Sequence, residues 1–114
     1  MAFEAMFEPI QIGKLTIRNR VLSTAHAEVY ATDGGMTTER YVLYYEEKAK
    51  GGIGLAICGG SSVVAIDSPQ EWWSSVNLST DRIIPHFQNL ADAMHKHGAK
   101  IMIQIPHMGR RSRW

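Results

Sequence analysis

Residues 39–60, ERYVLYYEEKAKGGIGLAICGG, decide the fold, because within them a helical pattern gives way to a short, continuous apolar run. From Thr38 onward, apolar residues recur at helical spacing while charged residues fill the opposite face. The apolar positions are Tyr41, Tyr44, Tyr45 and Ala49. A glycine pair ends this predicted helix, and residues 53–58 then form an apolar run of strand length. The stretch predicts a helix followed by a buried strand.

The same alternation continues on both sides of this stretch. Residues 21–25 form a short apolar run before it, and residues 100–105 form another after a second helical face. That face consists of Ile83, Phe87, Leu90, Ala91 and Met94. Strand, helix, strand, helix, strand predicts βαβ units with a parallel sheet, and near-continuous apolar strands predict that both sheet faces are covered. In front of these units, residues 7–13 and 15–18 predict a small β-hairpin.

Composition excludes several classes of protein. The chain has 114 residues, 45% of them hydrophobic, with 12 basic and 11 acidic side chains for a net charge of +1. This near-neutral balance gives no positive electrostatic potential that would attract nucleic acid or an anionic membrane, so neither is expected as a partner. No signal peptide is predicted, because Glu4, Glu8 and Lys14 interrupt the apolar stretch that one would need near the start of the chain. Cys58 is the single cysteine, which suits a cytoplasmic location.

Polar and small residues follow the predicted strands at their carboxyl ends, where parallel α/β folds bind ligands. The three segments are residues 24–27, 58–61 and 104–107. The Gln104 amide offers one acceptor and two donors, which match the imide edge of a flavin pyrimidine. Gly59 and Gly60 would let a flat ring approach the backbone without a Cβ in the way. Backbone N–H groups around residues 25–27 would stabilise negative charge on a reduced flavin.

Plainer interpretations stand beside each of these. Gln104 could satisfy a neighbouring loop, the glycines could mark a turn, and His26 and His107 could be packed histidines without a ligand. Neither histidine has the spacing of a metal motif, so no metal site is predicted. Cys58 is better interpreted as a small buried hydrophobe than as a nucleophile. Trp72–Trp73 would either plug a barrel end or line a pocket.

Several segments together carry a resemblance to a known family. They are Phe7–Gly13, Leu15–Val21, Glu46–Gly52, His97–Gln104 and His107–Arg110. In them the chain resembles the amino-terminal part of the old yellow enzyme family of FMN oxidoreductases. Other segments look closest to its amine-oxidising branch, that of trimethylamine dehydrogenase and N-methylproline (stachydrine) demethylase-like proteins. These are Ser23–Ala27, Gly59–Ser62, Asp81–Phe87 and His107–Arg111.

The resemblance implies an α/β fold, the amino-terminal portion of a (β/α)8 TIM barrel. It consists of a hairpin that caps one barrel end, followed by three strands and two helices, with FMN at the carboxyl ends of the strands. Carried over by position, the flavin contacts would be Ala25, His26, Ala27, Gly60 and Gln104. The substrate pocket would include His26 and His107. Catalytic proton donors and contacts to the FMN phosphate are expected beyond Trp114.

The activity that the resemblance implies is an oxidoreductase passing a hydride from a small N-methylated amine or amino acid to FMN, with loss of the methyl group. Ala27 stands where trimethylamine dehydrogenase has the cysteine that bonds its flavin, so FMN is expected to be non-covalent. Gly60 stands where that enzyme has a tyrosine of its amine-binding bowl. A bulkier compound, such as a methylated proline or a betaine, is therefore expected to use the space beside the glycine.

Two other functions stay open. Within the family, the alternative is NAD(P)H-dependent reduction of an activated alkene, including 2,4-dienoyl thioesters. From another class, the alternative is a non-catalytic α/β module whose surface contacts a partner chain. In the full-length protein the resemblance also allows a 4Fe–4S cluster, an FAD or NAD(P)H region and a homo-oligomer.

The length itself predicts an incomplete domain. A (β/α)8 barrel needs about 250 residues, whereas residues 1–114 supply three of its strands, so they are expected to be a partial FMN-binding barrel domain. Three parallel strands alone leave an unpaired edge and an exposed apolar layer. We therefore expect the isolated segment to be inactive and to fold poorly. A sharp, cooperative thermal melt of this segment would contradict that expectation.

Overall fold

A computed structural model describes residues 3–60, 62–65, 67–68, 75–107 and 109–111. Its elements in chain order are α1 (Glu4–Phe7), β1 (Ile10–Ile12), β2 (Leu15–Ile17), β3 (Leu22–Ser23), α2 (Glu39–Lys50), β4 (Leu55–Cys58), α3 (Ile84–His95) and β5 (Lys100–Ile103). Short 3-10 turns cover Asp81–Ile83 and Gly109–Arg111. The predicted hairpin, strands and two long helices are confirmed, whereas α1 was not predicted. Trp72 and Trp73 lie outside the described residues.

The strands form two separate sheets. β1 and β2 pair antiparallel around Gly13, whose φ of 58° is the left-handed conformation that glycine adopts at low cost. The other three strands pair parallel in the order β3-β4-β5, with Leu22 opposite Leu55 and Cys58 opposite Ile103. The parallel sheet is therefore confirmed. The paired part of β3 is shorter than the predicted run, because the chain leaves the ladder after its second residue.

The two long helices cover one face of the parallel sheet. Thr38 caps the start of α2 by accepting a hydrogen bond from the N–H of Tyr41, and Gly51 ends the helix. The buried residues of α2 and α3 pack on outward-facing strand residues to form the core. The largest core side chains that are fully buried are Tyr41, Tyr45, Leu90, Met94 and Cys58. The core thus lies between the two helices and one face of the parallel sheet.

The opposite sheet face is covered only at its amino-terminal end. A cavity of about 100 Å³ lies there between hairpin residues, such as Ile12 and Ile17, and the strand residues Leu22 and Leu55. The hairpin therefore caps the end opposite the strand carboxyl termini, as predicted. Beyond it, Met102 is 52% exposed. The prediction that both faces are covered is wrong for the described residues, because the hairpin reaches only one end of the inner face.

β5 is an unpaired edge of the sheet among the described strands, which confirms the predicted open edge. Beside it, an apolar groove of about 380 Å³ runs between α3 and β5. Its lining includes Ile84, Phe87, Leu90, Ile101 and Ile103. The groove has the shape that a further strand and helix would fill.

Arg18, between the hairpin and β3, links the carboxyl-terminal ends of α2 and α3. Its guanidinium donates to the carbonyl of Ile53 at 2.8 and 3.1 Å, to that of Ala49 at 2.9 Å and to that of His97 at 2.6 Å. Carbonyls near helix carboxyl termini lack intrahelical partners, so this single cation satisfies several of them. Among the described residues, no helix is long and apolar enough to cross a membrane.

A second tie joins α2 to the end of α3. The Glu46 carboxylate lies 2.9 Å from Nε2 of His97 and 3.6 Å from Nζ of Lys96. The hydrogen bond from His97 lowers the pKa of Glu46. These contacts thus fix the carboxyl ends of the helices near the amino-terminal ends of the strands. The carboxyl ends of the strands are followed by loops.

Candidate functional site

An open depression of about 360 Å³ lies at the carboxyl end of the parallel sheet. It is lined by Thr24, Ala25, Ile57, Met102, Ile103 and Gln104. Ala25 comes from the loop after β3, and Gln104 directly follows β5. The structure therefore brings two of the predicted flavin contacts to one concave surface with apolar walls and a single amide.

Gln104 is held by its backbone and leaves its side chain available. Its N–H donates to the carbonyl of Cys58 at 2.8 Å, which continues the ladder one residue past β5. Within the described part of the chain its exposed side-chain amide makes no hydrogen bond. The alternative that Gln104 satisfies a neighbouring loop therefore has no support among these residues. The amide can donate to and accept from a planar ring edge.

The loop after β3 presents backbone donors beside the same depression. Within the described ranges, the N–H groups of His26 and Ala27 donate to no backbone carbonyl. Backbone N–H groups that lie free at a strand end can stabilise negative charge on a ligand. The predicted role of the residues 25–27 backbone is therefore compatible with the structure.

The two glycines after β4 serve the protein's own packing. A Cβ at Gly60 would lie 2.7 Å from the N, Cα and C atoms of His26. A Cβ at Gly59, whose φ is 82°, would lie 2.6 Å from Oγ of Ser62 and 3.0 Å from the carbonyl oxygen of Gln104. The space of the absent Cβ atoms is thus occupied by the His26 backbone at Gly60 and by Ser62 and Gln104 at Gly59, and the predicted flavin contact of Gly60 stays a prediction.

The His26 ring is turned toward α2. Its Nε2 lies 2.8 Å from the hydroxyl of Tyr44, and the two rings meet edge to face with centroids 5.6 Å apart. The His26 side chain does not line the depression that holds Ala25 and Gln104. The side chain thus contacts α2 while its backbone stays at the strand ends, and its predicted role in the substrate pocket stays a prediction. The partner, Tyr44, carries no signal in the sequence beyond its helical spacing.

Glu28 lies behind this loop and accepts a hydrogen bond from the hydroxyl of Tyr45. Burial of the carboxyl raises the pKa of Glu28. The next residue, Val29, has a φ of 57°, a conformation that β-branched residues rarely adopt. Sequence reasoning missed Glu28, because a single acidic residue in a loop has no distinguishing pattern.

Cys58 is fully buried on the helix side of β4. Its thiol donates to the carbonyl of Met102 at 3.4 Å. Burial, together with the nearby Glu28, raises the pKa of Cys58 to about 12. A thiol with this pKa is protonated at neutral pH, so Cys58 acts as a buried apolar residue and not as a nucleophile.

The remaining predicted site residue, His107, lies outside the depression. It is exposed, and its Nδ1 accepts a hydrogen bond from the N–H of Gly109 at 3.0 Å. Its predicted role in the substrate pocket stays a prediction. Among the described residues, no group of three or more His, Cys, Asp or Glu side chains could hold a metal ion.

Known proteins share both the sequence and the fold of this chain. Residues 5–114 match the NADH:flavin oxidoreductase / NADH oxidase family. The chain is 85% identical over 114 residues to an N,N-dimethylglycine/sarcosine dehydrogenase of Chromohalobacter salexigens, covering 100% of this chain and 16% of that protein. It is 41% identical over 114 residues to a probable N-methylproline demethylase of Rhizobium meliloti, again covering 100% and 16%. The chain therefore spans about one sixth of these relatives.

A third relative combines two activities in its name. This multifunctional alkene reductase/demethylase of Caballeronia cordobensis is 44% identical over 108 residues, which cover 95% of this chain and 16% of that protein. A 2-naphthoyl-CoA reductase structure superposes with a TM-score of 0.88 at 28% identity, covering 97% of this chain and 17% of that one. The old yellow enzyme of Trypanosoma cruzi superposes with a TM-score of 0.83 at 28% identity, covering 96% and 29%. The prediction of part of a TIM barrel is confirmed.

Proposed function

We propose that this chain, which belongs to the NADH:flavin oxidoreductase / NADH oxidase family, forms one wall of an FMN site in an oxidoreductase that demethylates small N-methylated amino acids. The observation that carries the proposal is the depression that joins Ala25 to the amide of Gln104, which has no partner among the described residues, at the strand ends. Because the chain spans about 16% of its relatives, the activity is proposed for the complete protein. In that protein, residues 1–114 would form the first three strands of the barrel.

The residues at the depression fit a flavin. The Gln104 amide can donate to and accept from the pyrimidine edge of the ring, and Ile57 and Met102 offer apolar contact and exclude water. The N–H groups of His26 and Ala27 can stabilise negative charge on the ring. When bound, FMN would supply the acceptor for the hydride that the N-methyl carbon loses. The methyl side chain of Ala27 cannot form a thioether, which favours a non-covalent flavin.

Demethylation is favoured over alkene reduction by the relatives. The N,N-dimethylglycine/sarcosine dehydrogenase is 85% identical to this chain, and the probable N-methylproline demethylase matches all of it at 41% identity. Mixing the complete FMN-loaded protein anaerobically with dimethylglycine, sarcosine or N-methylproline should bleach the flavin absorbance. A flavin that stays oxidised with all three compounds would refute the proposal.

Alkene reduction is the second candidate, because a relative at 44% identity is named both alkene reductase and demethylase. In this case NAD(P)H would reduce the flavin, and an enone or dienoyl thioester would reoxidise it. Stopped-flow comparison of bleaching by N-methylated amines with reoxidation by enones separates the two candidates. We further propose a cytoplasmic homo-oligomer. A 4Fe–4S cluster and an FAD or NAD(P)H region would lie elsewhere in the complete protein.

Replacing Gln104 with alanine should weaken FMN binding. Losing two hydrogen bonds of about 1 kcal/mol each raises the dissociation constant about 30-fold. Titrating the apoprotein with FMN and following flavin fluorescence measures this change. Gln88→Ala is the matched control, since that exposed amide lies on α3 and bonds to Asp92 at 2.8 Å. Equal FMN affinity for the two variants would contradict the predicted contact.

A further inference from the structure

Three polar contacts tie the segment around the end of β3 to α2. The pairs are Ser23 with Lys48 at 2.9 Å, His26 with Tyr44 at 2.8 Å, and Glu28 with Tyr45. Residues 25–27, which carry the predicted flavin contacts, therefore lie between anchored neighbours. The helix holds this segment from the side opposite the depression.

The contact between Glu28 and Tyr45 is the most buried of the three. Tyr45 is fully buried, and Glu28 is half-buried beside the buried Tyr41 and Cys58. Within the described residues, no basic group lies within ion-pair distance of the Glu28 carboxyl. A hydrogen bond to a carboxyl in such surroundings is strong, and losing it leaves a buried polar group unsatisfied.

The backbone directly after Glu28 is strained. Val29 adopts a φ of 57° while its side chain is 39% exposed, so its own packing does not explain the conformation. A β-branched residue keeps a left-handed conformation only where surrounding contacts enforce it. On one side of Val29 the contact between Glu28 and Tyr45 can do so, and on the other side Oγ1 of Thr38 donates to the carbonyl of Tyr30 at 2.5 Å. Earlier in the segment, the backbone of His26 packs against Gly60, so a shift of this segment would also move the glycine loop.

We propose that Glu28, through its hydrogen bond with Tyr45, is a positioning residue that sets residues 25–27 against the flavin. This inference rests on the proposed FMN site. Glu28 touches neither the depression nor its lining amide. Its role is to fix the backbone of residues 25–27, whose N–H groups are the predicted donors to the flavin.

Several titratable groups face the Glu28 carboxyl. His26 approaches from the same segment, Tyr41, Tyr45 and Lys48 from α2, and Cys58 from β4. Burial raises the pKa of Glu28 despite the favourable charges of His26 and Lys48. Since the folded state prefers the protonated acid, the stabilisation is present at acidic pH and is lost as the pH rises through the pKa of the folded protein. Glutamine keeps the acceptor for Tyr45 without this loss.

The test uses the complete protein and three variants: Glu28→Ala, Tyr45→Phe and Glu28→Gln. Removing either partner should shift the visible spectrum of bound FMN and raise its dissociation constant about tenfold. The double variant Glu28→Ala/Tyr45→Phe should be no worse than the worse single variant, because both remove one contact. At acidic pH, where the Glu28 carboxyl is protonated, Glu28→Gln should keep wild-type affinity and spectrum. The control is Glu39→Gln, an exposed carboxyl in the first turn of the same helix.

A pH series separates the role of the Glu28 carboxyl from loss of packing, because packing alone would not make the flavin spectrum depend on pH. As the pH rises above the ordinary range of a glutamate, the flavin spectrum and melting temperature of the wild type should change in a way that those of Glu28→Gln do not. Wild-type spectra and affinity in both Glu28→Ala and Tyr45→Phe would overturn the proposal, as would additive effects in the double variant. If those variants do not fold, identical pH courses for wild type and Glu28→Gln would overturn it. A wild type that binds no FMN refutes the proposed function itself.

Discussion

The Gly60→Ala variant of the complete protein should be isolated without its flavin. The added Cβ would lie 2.7 Å from three backbone atoms of His26, a separation that neither segment can relieve by rotating a side chain. Overpacking of this kind costs about 1–3 kcal/mol. The backbone that must move carries the predicted flavin contacts, so binding FMN would have to restore it against the overpacking. A cost of about 3 kcal/mol corresponds to a roughly 100-fold loss of FMN affinity.

The absorbance ratio of flavin to protein after purification, together with a fluorescence titration of the apoprotein, measures this loss. Gly34→Ala is the matched control, since its Cβ would lie 3.8 Å from Oγ1 of Thr32, an ordinary contact. Gly34→Ala should bind FMN like the wild type. Full flavin occupancy in Gly60→Ala would show that the loops after β3 and β4 are not packed as described.

Arg18→Met should cause the largest loss of stability. The guanidinium donates four hydrogen bonds to the carbonyls of Ile53, Ala49 and His97. A methionine of similar length fills the space but removes all four bonds, and the Ala49 carbonyl then keeps its bond from the N–H of Gly52 at 3.0 Å. Hydrogen bonds to charged groups contribute about 1.5–3 kcal/mol each, and water replaces part of what is lost, so we expect a net loss of about 3 kcal/mol.

Urea unfolding of the complete protein, followed by circular dichroism, measures the change. Arg18→Lys should recover only part of the stability, because an ammonium cannot present the planar set of donors that reaches three carbonyls. Arg82→Met, at an exposed position in the 3-10 turn before α3, is the control and should match the wild type. Equal midpoints for Arg18→Met and Arg82→Met would rule out the tie between the helix ends.

Local patterns in the sequence predicted most of the fold. The helical period after Thr38, the glycine pair that ends it and the apolar run that follows gave α2 and β4 close to their observed bounds. The turn at Gly13 likewise gave the hairpin. Each of these signals lies within about one turn or one strand of the residues that it describes, so no distant contact was needed to interpret it.

The site was predicted less completely, because its geometry depends on distant pairs. Gly60 was recognised as a residue without a side chain, but the sequence does not show that His26, 34 positions earlier, fills that space. The turn of the His26 ring toward Tyr44 and the contact of Glu28 with Tyr45 are likewise invisible before folding. Gln104 was the exception, since its position at the end of an apolar strand already predicted where its amide would lie.

The apolar groove between α3 and β5 also bears on how the complete protein is made. Ribosomes add about 5–20 residues per second, so the remainder of a barrel of about 250 residues emerges roughly 10 s after this part. During that interval, the free edge of β5 and the groove residues Phe87, Ile101 and Ile103 stay uncovered. Chaperones that bind exposed apolar strands could bind this groove. The order of synthesis thus leaves the edge that the next barrel strand will pair with open to aggregation in the nascent chain.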